Sequence, residues 1–195
     1  NNANWIGQFV PGGGKGGGGS QLAPVFWDGT ADGTGAPTRA TVVNSGSPPA
    51  ALNVALQQGL PITGTVSGSD TAGVGLPGIP VSLQDQHAVD TCCYPQVEFA
   101  QTGPDGSFTF WAPPGSWLVQ AGGNPGSAYV QGYYSSAGMT FDAHQATPVP
   151  AGSTTAASFA LQLGVTVTGT VRSGSSGEGG VNLWPTLPAA DGTCC

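Results

Sequence analysis

Residues 102–120 read T-G-P-D-G-S-F-T-F-W-A-P-P-G-S-W-L-V-Q, and this stretch decides the fold. Gly103-Pro104-Asp105-Gly106 predicts a tight turn, because proline presets its own φ and Gly106 tolerates the positive φ that closes such turns. Beyond the turn, Phe108 and Phe110 alternate with Ser107 and Thr109, so both rings fall on one face of an extended chain. Pro113-Pro114-Gly115 then interrupts the strand, and Trp117 and Val119 repeat the alternation. Two short half-buried strands separated by Gly/Pro punctuation predict a β-sheet protein.

The same grammar extends outward. LPITGTVSG (60–68), GIPVSLQD (78–85), QVEFAQT (96–102), SAYVQGYY (127–134) and AASFALQL (156–163) are short, alternating and bounded by turn residues. About seven such strands, with turn signals every 8–12 residues or so, predict a two-sheet sandwich over residues 60–164.

Composition agrees. The chain has 195 residues, 38% of them hydrophobic, which is enough for an ordinary core. Its 34 Gly and 17 Pro, with only 7% charged residues, disfavour long helices and suit strands with turn-rich connections. Three basic residues (Lys15, Arg39, Arg172) against ten acidic ones give a net charge of −7, which argues against nucleic acid as a partner. No apolar run approaches the roughly 18 residues of a membrane span, so membrane insertion is not expected. The chain starts at Asn1 without Met or a signal-like segment, as a processed or excised product would.

The flanks of residues 60–164 read as parts of the same unit. QLAPVFWDGTADGTGAPTRATVVNSGSPPAALNVALQQG, ending at Gly59, parallels SAYVQGYYSSAGMTFDAHQATPVPAGSTTAASFALQLG, ending at Gly164. Strands are expected at 5–10, 21–27, 38–43 and 51–57. The glycine-rich segment PGGGKGGGGS (11–20) resembles a linker and is read as a long hairpin loop. Downstream, TVTGTVRSG (166–174) parallels PITGTVSG (61–68), GVNL (180–183) parallels PVSL (80–83), and TCC recurs at 91–93 and 193–195. The expected organisation is a partial repeat over 1–59 (the second half of a sandwich), a complete repeat over 60–164, and a partial repeat over 165–195 (the opening strands of the next).

G-T-V at the first strand, L-P-G-I-P-V-S-L at the second, T-G-P-D-G-S-F-T-F (102–110) and P-P-G-S-W-L-V resemble the carboxypeptidase regulatory-like domain. That family is transthyretin-like and close in architecture to the B-type repeats of bacterial collagen adhesins. The resemblance implies tandem Ig-like or transthyretin-like sandwiches that serve as stalks, spacers or accessory modules of secreted proteins. Where the family motif ends in P-x-G-x-Y-x-V, Trp117 replaces the Tyr. Many adhesin repeats carry a Lys-to-Asn isopeptide bond. The only lysine here, Lys15, lies in the glycine loop, so no such bond is expected.

Catalytic motifs are not recognisable. His87 and His144 sit in polar loop contexts without ligand spacing, the carboxylates are scattered, and the glycine loop lacks the Ser or Thr a P-loop needs after its lysine. No catalytic, cofactor or metal site is predicted, and the chain is not expected to be an enzyme. Trp5, Trp27, Phe108, Phe110, Trp117, Tyr133 and Tyr134 read as core or surface anchors, with a sugar platform as the lesser reading. Cys92-Cys93 and Cys194-Cys195 point to an oxidising compartment. Three pairings are open, with vicinal bonds the expected reading and bonds between chains the alternative.

A sandwich short of strands exposes a groove and unpaired edges. The tail, through Val165, Val167, Val171, Val181 and Leu183, carries the kind of strands that the first 59 residues lack. The expectation is therefore a structural extracellular or cell-surface protein that assembles with itself head to tail by strand addition. The alternatives are a fragment of a longer tandem-repeat stalk or adhesin and, after that, a carbohydrate-binding module with glycans as partners.

Overall fold

The computed structural model describes residues 4–11, 21–47, 49, 51–71, 73–88, 96–123, 127–165 and 167–180. The protein is all-β and divides into two compact units, Asn1–Leu163 and Gly164–Cys195. The first unit contains β1 (Asn4–Ile6), β2 (Gln8–Phe9), β3 (Val25–Phe26), β4 (Val42–Asn44), β5 (Leu60–Gly68), β6 (Pro80–Asp85) and β7 (Gln96–Gln101). It continues with β8 (Ser107–Ala112), β9 (Ser116–Ala121), β10 (Gly132–Ser135), β11 (Gly138–Thr140), β12 (Val149–Pro150) and β13 (Phe159–Leu161). Within the second unit, β14 (Arg172–Ser173) and β15 (Ser176–Gly177) form a small hairpin. Among the described residues the helical turns are 3-10 turns at Pro37–Arg39, Gln86–Ala88 and Ala143–Gln145, and no helix is long and apolar enough to cross a membrane.

Two sheets enclose the main core. One runs β11-β10-β9-β6-β7, with β12 also paired to β9; the other runs β13-β5-β8. Alternation drives the pairing. Ile62 and Val66 of β5 and Phe108 and Phe110 of β8 point inward, while Thr63 and Thr109 stay at the surface. The Phe108 and Phe110 rings meet at 5.7 Å, tilted by 54°. Opposite them stand Val81, Leu83, Val97, Trp117, Val119 and Val149 from the larger sheet. Burying each such side chain contributes about 1.5–3 kcal/mol, so this cluster is the main source of stability.

The predicted turn at 103–106 forms. Gly106 has φ +76°, its N–H donates to Gly103 O at 2.9 Å, and Gly103 N–H donates to Ser107 O at 2.8 Å. Asp105 Oδ1 accepts from the Ser107 N–H (3.0 Å) and hydroxyl (2.6 Å), and these bonds hold its carboxyl below the usual range.

The first 59 residues depart from the expected strands. The strand expected at 5–10 breaks at Gly7 into β1 and β2, because β1 pairs with β4 whereas β2 pairs with β3. Of 21–27 only Val25–Phe26 is strand. The strand expected at 38–43 begins instead with a 3-10 turn in which Pro37 takes the first helical position; the strand proper is Val42–Asn44. Residues 51–57 are extended in pattern but are no strand.

Candidate functional site

The pairings within residues 4–58 repeat those within residues 116–163, partner for partner. Trp5 stands opposite Val43 in β1–β4, as Trp117 stands opposite Val149 in β9–β12. Gln8 faces Phe26 in β2–β3, as Gln120 faces Tyr133 in β9–β10. Phe26 bridges to Thr34, as Tyr133 pairs with Thr140. The 3-10 turns Pro37–Arg39 and Ala143–Gln145 follow, with flanking dihedrals of −103°/122° and −99°/118° on their N-terminal sides. Finally, Leu22 bridges to Gln58 and Ala23 N–H donates to Gln57 O (2.8 Å), as Tyr129 bridges to Leu163 and Val130 N–H donates to Gln162 O (2.9 Å).

Residues 4–58 thus have the local structure of β9 to β13 without the strands those elements pack on. In the complete set, β9 has β6 at its edge and β13 has β5 as a parallel neighbour. Here β5 is committed between β13 and β8, and β6 between β7 and β9, so no described strand takes either place beside residues 4–58. The consequence is visible in burial. Trp5 is 43% exposed where Trp117 is 3% exposed. Leu52, Val54 and Leu56 are half-buried where Ala157, Phe159 and Leu161 are buried. One side of 51–58 is occupied by residues 22–23 and by Ala31, whose carbonyl accepts from Ala55 N–H at 2.6 Å. The other side corresponds to the place of β5.

Two contacts of the second unit have counterparts at the end of β5. Arg172 pairs with Gly177 and Glu178 N–H donates to Val171 O (2.9 Å), as Ser67 bridges to Gly75 and Leu76 N–H donates to Val66 O (2.8 Å). These bonds make Val171 the counterpart of Val66 and Val167 that of Ile62. Ile62 is fully buried, whereas Val165 and Val167 are 87% and 89% exposed. Val181, Leu183 and all four cysteines (Cys92, Cys93, Cys194, Cys195), together with most of the glycine loop, lie outside the described residues.

The aromatic residues divide by place. Phe108, Phe110 and Trp117 are in the main core, where Trp117 Nε1–H donates to Pro113 O at 3.1 Å. Tyr133 is buried with Leu118 and Ala143 on the outer face of the larger sheet. Tyr134 packs against Phe159 with ring centroids 6.1 Å apart, and Trp27 is half-buried beside β3.

Among the described residues the polar groups gather into no catalytic constellation. His87 Nδ1 lies 3.1 Å from Asp85 Oδ1, and Asp85 Oδ2 accepts from Thr38 Oγ1 at 2.8 Å. No group of three or more His, Cys, Asp or Glu is gathered among the described residues. A groove of about 340 Å³ on the larger sheet is lined by Ser82, Gln96, Phe99, Gln120 and Gln131. Glu98 of β7 is unusual: burial pushes its carboxyl up to about 7, although the Trp111 N–H donates to it. Sequence patterning gave no signal for Glu98, because its burial depends on how β7 faces β8. Compared with known proteins, the chain matches no family model, no curated protein and no solved structure.

Proposed function

We propose that this chain is a structural, self-associating β-sandwich protein of the extracellular space or cell surface. The open half-repeat of one copy is completed by the tail strand of the next. The carrying observation is a matched pair of surfaces: an apolar stretch with Val165 and Val167 in water, and a half-repeat whose Leu52, Val54 and Leu56 are only half-buried. Strand addition joins such surfaces through main-chain hydrogen bonds, with alternate side chains filling the apolar groove. The two surfaces differ, so the contact is heterologous. Repeated without closure, it generates a filament. The low charge of the chain and the resemblance of its central repeat to stalk-forming sandwich modules support the same reading, as does the lack of any recognisable catalytic motif in the sequence.

Val167→Asp tests it. Val167 is exposed in its own unit, so the substitution changes that unit's stability by no more than about 0.5 kcal/mol. In the assembly it would place a charge where Ile62 is buried in the complete repeat. Sedimentation velocity and electron microscopy should find fibres or long oligomers of the wild-type chain and monomers of V167D. A wild-type chain that stays monomeric at high concentration sinks the reading.

The same correspondences favour a second reading, in which the completing strands belong to covalent neighbours in a tandem-repeat stalk. An intact mass of native material larger than that of this chain would select it.

A further inference from the structure

The complete repeat fixes how a donated strand must sit, and a single glycine carries the fit. We propose that residues 167–173 of one copy lie parallel to residues 52–56 of the next in one register, with Val171 beside Val54, Arg172 beside Ala55 and Ser173 beside Leu56. Gly169 is then pressed against the Leu52 carbonyl. This rests on the strand-addition reading above and specifies its geometry.

The register follows from two independent correspondences. The bridges Leu22–Gln58 and Tyr129–Leu163 equate Gln58 with Leu163, hence Val54 with Phe159 and Leu56 with Leu161. The bonds Glu178 N–H to Val171 O and Leu76 N–H to Val66 O equate Val171 with Val66. In the complete repeat β13 and β5 pair in parallel as Phe159–Val66, Ala160–Ser67 and Leu161–Gly68. Transferring those pairs gives the register stated.

The hydrogen bonds transfer with it. Ala157 N–H donates to Thr63 O at 2.8 Å and Ser69 N–H to Leu161 O at 2.9 Å. Their counterparts are Leu52 N–H to Thr168 O and Gly174 N–H to Leu56 O. Thr65 N–H donates to Ser158 Oγ at 3.0 Å, and Asn53, at the counterpart of Ser158, offers a side-chain oxygen to Thr170 N–H. One strand thereby satisfies main-chain groups and places Val167 and Val171 on the face where Ile62 and Val66 are buried.

Gly169 separates this arrangement from a loose apolar contact. Its counterpart Gly64 has no room for a side chain, since a Cβ there would run into the Ala157 carbonyl and the Phe108 ring. Around Gly169 itself nothing lies within 4 Å of a Cβ position. A side chain at 169 is therefore tolerated in the free chain and collides with the Leu52 carbonyl of the neighbour in the proposed register. An unregistered hydrophobic contact would not be sensitive to it.

Two measurements on the full-length chain test the proposal. Gly169→Val should keep the circular dichroism and melting profile of the wild-type monomer and weaken assembly at least tenfold by sedimentation velocity. Assembly of G169V at wild-type concentration overturns the proposal. Separately prepared Ala55→Cys and Arg172→Cys chains, mixed and oxidised, should give the 55–172 disulfide peptide by mass spectrometry in several-fold excess over the 53–172 peptide from Asn53→Cys and Arg172→Cys. The reverse preference in material that still forms fibres overturns the register and leaves strand addition standing. A wild-type chain that does not associate at all removes both.

Discussion

Glu98 is the residue whose chemistry departs furthest from its ordinary behaviour. Its Oε2 is buried and has no hydrogen-bond partner among the described residues, so ionisation leaves charge poorly solvated, and the Trp111 N–H offsets only part of that cost. A carboxyl raised from 4.5 to about 7 binds its proton more tightly in the folded chain than in the unfolded one. The sign follows from linkage: stability is highest below about pH 4.5 as far as this group is concerned, falls as pH rises, and reaches its reduced level above about 7. Because the side chain is partly exposed, solvent screening limits the effect to roughly 1–2 kcal/mol. Urea unfolding of Glu98→Gln should match the wild type near pH 4 and exceed it by about that amount at pH 8. An equal stability gap at both pH values would exclude the mechanism. Phe108 and Phe110 were readable in sequence because strict alternation announces which face a side chain takes. Glu98 was not, because it lies on a strand whose neighbours across the sandwich are set only by the fold.

Among the elements, those between 60 and 121 were legible and those between 21 and 57 much less so. In β5 to β9 each alternating run finds a partner, so pattern becomes strand. Residues 51–57 alternate as cleanly, with Leu52, Val54 and Leu56 turned inward, yet form no ladder. Alternation specifies a face; a strand also needs an edge to bond to. β9 shows the opposite case. Trp117 and Val119 were readable as core, but Leu118 is buried as well, covered by Tyr133 and Ala143 on the outer face. At this scale Thr102 is the joint between elements. Its Oγ1 accepts from Ile79 N–H at 2.9 Å and donates to Leu76 O at 2.5 Å, which fastens the loop before β6 to the end of β7. Thr102→Val keeps the shape and removes both bonds, stranding a buried N–H at a cost of about 1–3 kcal/mol. The expected readouts are a loss of that size in urea unfolding and faster amide exchange at Ile79. Unchanged exchange there would show that the loop is held by other contacts.

For the whole molecule, the proposed head-to-tail joining raises the question of how tightly one copy would hold the next. A head completed by a tail has counterparts of β5 and of β9 to β13. Completion by strand addition is noncovalent, so the proposed association should be reversible. Reversible completion makes stability depend on concentration: each tenfold rise in protein concentration above the dissociation constant adds about 1.4 kcal/mol to the completed state. The central repeat, sealed by its own strands, gains nothing from that term. Hydrogen exchange across a concentration series should therefore show progressive slowing at Leu52 and at Gly174, the donors of two main-chain bonds in the proposed inter-copy ladder. The Ala157 and Ser69 amides, which make the corresponding bonds inside the complete repeat, should exchange at a constant rate. Slowing at all four positions together would mean that association acts on the whole unit, and constant exchange at all four would mean that the open edge is not where copies meet.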